Sequence, residues 1–288
     1  MKVTILGAGT MGASIAQLAA TAGDDAVARD VGEAQLERAR AAVRRSLARF
    51  VRAGRLTDAE AQAAFQRIRF TTDLTGALDG AEVVIESITE VRELKQELLA
   101  EVAERAPAEA LLGTNTSQLS ITSLATALGA QAHRLVGIHF FNPPVMMRLV
   151  EVIAGLLTPH EVVARARAFG EHLGREVVVC RKDSPGFITS RAYAILRLEC
   201  VRMVEEGVAT PQDVDTAMKL GFNFPMGPLE LGDMNGLDTF LNALNGLSEA
   251  YGERFRPSVG LKNMVAAGRL GRKAGAGFYE YDEHGRRA

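Results

Sequence analysis

The chain has 288 residues, a formal net charge of −2 and only two cysteines. This length suits one large domain or two modest domains, each with its own hydrophobic core. The nearly balanced charge gives no reason to expect a nucleic-acid or membrane partner. Two cysteines form neither a disulfide framework nor a metal-type spacing, so we expect no metal site and a cytoplasmic protein. We also expect no signal peptide, because the first six residues run straight into a glycine turn.

Short apolar strands alternate with helices through the first two thirds of the chain. The predicted strands cover residues 3–6, 25–30, 68–71, 83–86, 110–114, 135–139, 150–153 and 176–180. The main helices predicted between them cover residues 11–22, 33–53, 91–105 and 161–173. This alternation is typical of an α/β fold whose mostly parallel sheet carries helices on both faces. The helical stretch at about 33–67, with Thr57 and Glu60 as a capping box, predicts a helical-hairpin insertion.

The pattern changes after Asp183-Ser184-Pro185-Gly186. Helices are predicted at 188–206, 211–220 and 237–251, and Thr210-Pro211 is a good cap and first-turn pair. We therefore predict a first domain over residues 1–184 and an all-helical second domain over residues 185–288.

A glycine-rich turn follows the first predicted strand and opens the first predicted helix. Its sequence, Gly7-Ala8-Gly9-Thr10-Met11-Gly12, has the G-x-G-x-x-G pattern of dinucleotide-binding proteins. The glycines permit close backbone approach, and the helix N-terminus favours a pyrophosphate. Asp30 ends the second predicted strand and is placed to bind the ribose hydroxyls, which favours NAD over NADP, although Arg29 lies beside it. A FAD site or a regulatory NAD site would share these features.

Three polar segments, at residues 86–90, 115–118 and 139–142, follow predicted strands. Open α/β sheets bind ligands at the carboxyl ends of their strands, so we expect these segments to converge on one site. His139 ends an apolar strand at that edge, and Glu151 lies in apolar company twelve positions later. A histidine exchanges protons near neutral pH, and a buried carboxylate can hold its ring in one tautomer. The two residues therefore form a candidate proton-transfer pair.

With these features the chain resembles the L-3-hydroxyacyl-CoA dehydrogenase family, including the short-chain 3-hydroxybutyryl-CoA dehydrogenases. The resemblance covers nearly all of the chain. Besides the glycine turn, it rests on Asn115-Thr116-Ser117, His139-Phe140-Phe141-Asn142-Pro143, Asp183-Ser184-Pro185-Gly186-Phe187, Pro225-Met226-Gly227-Pro228-Leu229-Glu230-Leu231, Gly271-Arg272-Lys273 and Gly277-Phe278-Tyr279.

The resemblance implies a Rossmann-type domain followed by a helical domain that forms a homodimer. It implies that His139 is the general base and Glu151 its partner, that Ser117 contacts the substrate's 3-oxygen, and that Asn142 orients the histidine region. Further expected contacts are to the cofactor from Glu90, Lys95 and Asn115, and to the substrate from Asn223.

The chain departs from the family pattern at Ser190, where relatives usually carry an asparagine that assists at the substrate. A shorter hydroxyl can donate the same hydrogen bond through a water, or can accompany a different acyl group. Arg52 and Arg55 lie where relatives hold basic residues near the CoA phosphates. A solvated helix end is an equally good interpretation of these two arginines.

The resemblance implies NAD-dependent oxidation of a short-chain L-3-hydroxyacyl-CoA to the 3-ketoacyl-CoA, and the reverse reduction. Two alternatives stay open. One is an NAD-dependent dehydrogenase of a non-CoA hydroxy acid, such as L-gulonate, on the same scaffold. The other is an NAD-binding protein that has lost catalysis.

Overall fold

An eight-stranded sheet forms the centre of the first of two units in the computed structural model, which describes residues Met1–Ala288. The units are Met1–Ser184 and Pro185–Ala288. The strands are β1 (Lys2–Leu6), β2 (Asp25–Arg29), β3 (Ile68–Thr71), β4 (Val83–Glu86), β5 (Leu111–Thr114), β6 (Leu135–Phe140), β7 (Leu149–Ile153) and β8 (Glu176–Cys180).

The strand order is β3-β2-β1-β4-β5-β6-β7-β8. Every neighbouring pair is parallel except β6 and β7, which run antiparallel. This sheet confirms the predicted mostly parallel α/β fold. The strand order reverses at β1, and β1 and β4 therefore define the point where such sheets bind ligands.

Seven α-helices belong to the first unit. They are α1 (Thr10–Thr21), α2 (Glu33–Arg52), α3 (Asp58–Gln66), α4 (Leu74–Leu78), α5 (Arg92–Arg105), α6 (Ile121–Ala125) and α7 (His160–His172). The long predicted helices agree with these bounds to within one or two residues. The five-residue helices α4 and α6 were not predicted, because one turn of helix is too short to show a 3.6-residue period.

The predicted insertion forms the helix pair α2 and α3. The Thr57 hydroxyl accepts a hydrogen bond from the backbone N–H of Glu60, and the Glu60 carboxylate accepts one from the N–H of Thr57, so the expected capping box is present. The pair packs against α1, and its apolar face joins the core under β1 and β2 through Leu36, Val43 and Leu47. The insertion is thus part of the first unit's single core.

The second unit is helical, as predicted, and has its own core. Its helices are α8 (Thr189–Glu205), α9 (Pro211–Phe222), α10 (Pro228–Asn235), α11 (Leu237–Tyr251) and α12 (Val259–Ala266). Two buried carboxylates connect segments of this unit that are distant along the chain. Asp215 accepts hydrogen bonds from the N–H groups of Leu229 and Glu230, and Asp233 accepts from the N–H groups of Phe278 and Tyr279.

None of the twelve helices combines the length and the apolar character needed to cross a membrane.

Candidate active site

His139 and Glu151 face each other across the antiparallel pair β6 and β7. They are directly opposed in the register of the two strands, and His139 Nδ1 lies 2.8 Å from Glu151 Oε2. Glu151 has no exposed surface, and His139 is 5 % exposed. A carboxylate in this position must be hydrogen-bonded, because burying it unpaired is costly. The contact fixes the ring and gives the buried carboxylate its partner.

Asn115 holds the end of the strand that carries His139. Its Oδ1 accepts a hydrogen bond from the N–H of Phe140 at 2.8 Å, and its Nδ2 donates to Ser87 Oγ at 3.2 Å. The ends of β4, β5 and β6 are therefore connected through one side chain. Asn142, expected to orient the histidine region, is exposed and lies beyond the end of β6. Asn115 holds the strand end in this structure, and the orienting role of Asn142 stays a prediction.

Glu90 organises the turn that carries Ser117. One of its oxygens, Oε1, accepts hydrogen bonds from the Thr116 hydroxyl at 2.5 Å, the Ser117 N–H at 2.9 Å and the Gln118 N–H at 3.2 Å. Ser117 itself is exposed, and its hydroxyl is available at the carboxyl edge of the sheet. The three polar segments singled out from the sequence thus meet at one edge.

Lys95 lies beneath this edge rather than on its surface. Its side chain is 1 % exposed, and its ammonium donates to Glu86 Oε1 at 2.6 Å and lies 3.3 Å from Glu90 Oε2. The sequence reasoning missed Glu86 as an individual residue. Its position as the last residue of a buried strand, nine positions before a lysine, was the available signal. The expected cofactor contact of Lys95 stays a prediction.

The glycine turn has the geometry that the dinucleotide pattern requires. Gly7 has φ +97°, and a Cβ there would lie 2.6 Å from the Ser87 carbonyl oxygen. A Cβ on Gly12 would lie 1.8 Å from the Gly7 carbonyl oxygen, so α1 reaches β1 only with glycine there. A Cβ on Gly9 would meet nothing within 4 Å, so this position faces open space. Met11 packs against the core.

The open space beside the turn fits NAD. The N-terminus of α1 has no side-chain cap, so its first N–H groups are left for an anion. A cavity of about 670 Å³ is lined by Gly7, Gly9, Asp30, Ser87 and Ile88, among others, and one of about 400 Å³ on the other side of the turn includes Thr10. These observations match a pyrophosphate on the turn with a nucleoside beside it.

Asp30 holds the turn and borders both cavities. Its Oδ2 accepts a hydrogen bond from the N–H of Ala8 at 2.8 Å, and its Oδ1 accepts from the N–H of Val31. The carboxylate is therefore hydrogen-bonded to the glycine turn itself, close to where a pyrophosphate would bind. The neighbouring Arg29 donates through Nε to the Thr72 carbonyl at 3.2 Å.

A third cavity, of about 550 Å³, is lined by Arg55 but not by Arg52. It lies between α1, α2 and the loop after β6, and its lining also includes Ser46 and Arg49. Arg55 stacks over Phe50 with its guanidinium carbon 5.5 Å from the ring centre. Arg52 is an exposed helix end. Arg49 was missed by the sequence reasoning, although it lies on the same face of α2 as Ser46, one turn away.

The two expected substrate residues of the second unit occupy helix ends. Ser190 is the second residue of α8 and is half-buried. Asn223 caps the C-terminus of α9 in the left-handed region, with φ 57° and ψ 35°. Asparagine adopts this conformation more easily than most residues, which explains its place at the cap.

Comparison with known families matches both units. The model of the 3-hydroxyacyl-CoA dehydrogenase NAD-binding domain matches residues 2–184, and that of the 3-hydroxyacyl-CoA dehydrogenase C-terminal domain matches residues 186–281.

Individual relatives extend over almost the whole chain. A probable 3-hydroxybutyryl-CoA dehydrogenase of Deinococcus radiodurans is 42% identical over 98% of this chain and 100% of its own length. A 3-hydroxyadipyl-CoA dehydrogenase of Escherichia coli is 39% identical over 97% of this chain and 58% of its own length. The crystal structure of (S)-3-hydroxybutyryl-CoA dehydrogenase from Ralstonia eutropha is similar with a TM-score of 0.94 and 39% identity, covering 98% of this chain and 99% of that one.

Proposed function

Because the chain belongs to the 3-hydroxyacyl-CoA dehydrogenase family, we propose that His139 and Glu151 catalyse the NAD-dependent oxidation of a short-chain L-3-hydroxyacyl-CoA to the 3-ketoacyl-CoA, and the reverse reduction. The observation that carries this proposal is the buried contact of 2.8 Å between the two side chains, at the sheet edge where the NAD-binding turn also lies. Two relatives named 3-hydroxybutyryl-CoA dehydrogenases support a short acyl chain.

The imidazole of His139 moves the proton. Since Nδ1 faces the Glu151 carboxylate, it carries a hydrogen, and Nε2 is the atom that accepts the proton of the 3-hydroxyl group. The negative charge of Glu151 stabilises the imidazolium that results. Bound NAD supplies the hydride acceptor for carbon 3 of the substrate. In the reverse direction the imidazolium returns the proton to the forming alkoxide.

Ser117 is proposed to donate a hydrogen bond to the same 3-oxygen, where negative charge develops during reduction. The turn that presents it is fixed by Glu90 through three hydrogen bonds, so the hydroxyl position is set before substrate binds. We assign the orientation of His139 to Asn115 as well as to Glu151. A contribution from Asn142 after substrate binding stays a prediction.

The remaining site assignments follow from the family. We propose that the glycine turn and Asp30 hold NAD, that Glu90 and Lys95 act on the nicotinamide side, and that Ser190 and Asn223 contact the acyl group. Arg55 is the better candidate of the two hairpin arginines for a CoA phosphate, because it borders a cavity. We further propose a cytoplasmic homodimer, formed through the second unit, that acts in fatty acid metabolism.

Steady-state rates test the proposed reaction. Acetoacetyl-CoA and longer 3-ketoacyl-CoA substrates are compared with free acetoacetate, first with NADH and then with NADPH. We expect NADH-dependent reduction of the thioester and a loss of about two to four orders of magnitude in kcat for His139→Ala. Equal rates with the free acid would favour the non-CoA dehydrogenase. If neither cofactor supports reduction of any thioester, the proposed function is wrong.

A further inference from the structure

A buried ion pair lies directly under the candidate site and takes no part in the proposed proton transfer. Glu86 has no exposed surface and Lys95 is 1 % exposed, and their Oε1 and Nζ atoms are 2.6 Å apart. Glu86 ends β4, one of the two strands at which the sheet order reverses, and Lys95 lies in α5. The pair therefore connects a strand end of the site to the helix that follows it.

Every charged oxygen of Glu86 has a defined partner. Its Oε1 also accepts a hydrogen bond from the N–H of Ile88 at 2.7 Å, and its Oε2 accepts from the Thr114 hydroxyl at 2.6 Å. Lys95 also donates to the Ile88 carbonyl at 3.2 Å. These contacts fix the segment after β4 against the end of β5, on which the turn with Ser117 begins.

Lys95 extends this arrangement to the surface of the site. Its Nζ lies 3.3 Å from Glu90 Oε2, whereas Glu90 Oε1 accepts from Thr116, Ser117 and Gln118. The side chain of Glu90 is 39 % exposed, and the cation adds a restraint on Oε2 to the three hydrogen bonds on Oε1. The ammonium therefore restrains Glu90 from below, and Glu90 restrains the turn that presents Ser117.

Stability alone is a poor explanation for this pair. The desolvation of two buried charges commonly offsets their attraction, and apolar replacements of a whole pair are often neutral or stabilising. A positioning role explains the arrangement better. The network of Glu86, Lys95 and the Thr114 hydroxyl extends through the Lys95 ammonium to Glu90.

We propose that Glu86 and Lys95 are positioning residues that act through Glu90 to hold the 116–118 turn, and hence the Ser117 hydroxyl, in its catalytic place. This inference rests on the proposed function, because the position of the Ser117 hydroxyl affects the rate only if that hydroxyl contacts the reacting oxygen. Its expected effect is on kcat, since displacing a catalytic group by about 1 Å can cost about 100-fold in rate.

The decisive comparison is between Lys95→Met and the double variant Glu86→Gln/Lys95→Met. The single variant leaves Glu86 as an uncompensated buried charge, so we expect a large fall in Tm and in kcat. The double variant removes both charges while the amide oxygen still accepts from Ile88. We expect its Tm to return to near the wild-type value, whereas kcat with acetoacetyl-CoA and NADH stays about 10- to 100-fold low. The KM values for both substrates should change little, because loss of a direct cofactor contact by Lys95 would instead raise the KM for NADH.

A matched control is Asp24→Asn, which removes a buried carboxylate of the same unit at the opposite edge of the sheet, where it pairs with His172 at 3.0 Å. We expect this variant to lower Tm without lowering kcat. A double variant with both Tm and kcat of the wild type would overturn the inference and leave the proposed function intact. An inactive wild-type enzyme would instead overturn the proposed function.

If the double variant does not fold, Thr114→Val tests the positioning role instead, because it deletes one hydroxyl from the same network. A Tm near that of the wild type with a several-fold lower kcat supports the positioning role, and an unchanged kcat overturns it.

Discussion

Glu151 is stable in an apolar interior because a partner lies opposite it on the neighbouring strand. The antiparallel register places its carboxylate and the His139 ring on one face of the sheet, 2.8 Å apart. A buried carboxylate that orients an imidazole contributes to the rate through the tautomer and through the charge of the imidazolium. The kinetic role proposed for the pair therefore rests on its charge as well as on its shape.

The residue-scale prediction is that Glu151→Gln keeps the fold and loses the rate. Glutamine has nearly the same shape but no charge, so kcat should fall by about two to four orders of magnitude while NADH still binds. Steady-state rates and NADH fluorescence titration measure the two effects. Glu176→Gln on the adjacent strand is the control, because that side chain is 78% exposed. A Glu151→Gln enzyme with the control's kcat would exclude the proposed pair.

At the scale of elements, the glycines of the G-x-G-x-x-G pattern meet two different requirements. One is the packing of α1 against β1, and the other is access of a ligand to the backbone. Gly12 is needed for packing, because a Cβ there would collide with the Gly7 carbonyl. Gly9 is not needed for packing, since its φ is −67° and the space around it is open. The proposed NAD site accounts for a glycine at this position, because the pyrophosphate would approach the backbone closely.

These two positions give an element-scale prediction. Gly9→Ala should leave Tm near the wild-type value and weaken NADH binding by at least about tenfold, because the added methyl group occupies the pyrophosphate position. Gly12→Ala should lower Tm as well, because α1 must move away from β1. Thermal unfolding and NADH titration distinguish the two outcomes. Unchanged NADH affinity in Gly9→Ala would contradict the assigned cofactor position.

At the scale of the whole molecule, the chain has two cores that are built differently. The first unit has a mostly parallel sheet covered by helices, and the second has helices joined by buried carboxylates. Asp233 has no exposed surface and accepts hydrogen bonds from Phe278, Tyr279 and Tyr281, so the C-terminal segment is part of the second core.

The corresponding prediction concerns Gly277, where a Cβ would lie 2.1 Å from Asp233 Oδ1. Because hydrogen bonds hold that carboxylate in place, Gly277→Ala should destabilise the protein by about 1–3 kcal/mol. Gly246→Ala is the matched variant, since this exposed glycine within α11 has no neighbour within 4 Å of a Cβ. It should stabilise the protein by up to about 1 kcal/mol. Thermal unfolding measures both, and equal Tm values would refute the packing argument.

The sequence by itself determined the order and type of the long elements. Strands such as β4 and helices such as α11 have the residue bounds that their patterns predict, because hydrophobic periodicity and caps act over short distances. Local chemistry also pointed to the glycine turn, Asp30 and His139. The sequence did not predict the one-turn helices α4 and α6, because their boundaries depend on the residues that they pack against.

Only the tertiary structure decided which residues meet. The sequence suggested Glu151 as a partner for His139 from spacing and apolar company, but the antiparallel register that aligns them depends on how β7 enters the sheet. The contact of Asn115 with the strand end, and the burial of Lys95 between Glu86 and Glu90, join segments that are distant along the chain. Such contacts depend on the assembled sheet, because no local pattern records the neighbours that folding brings together.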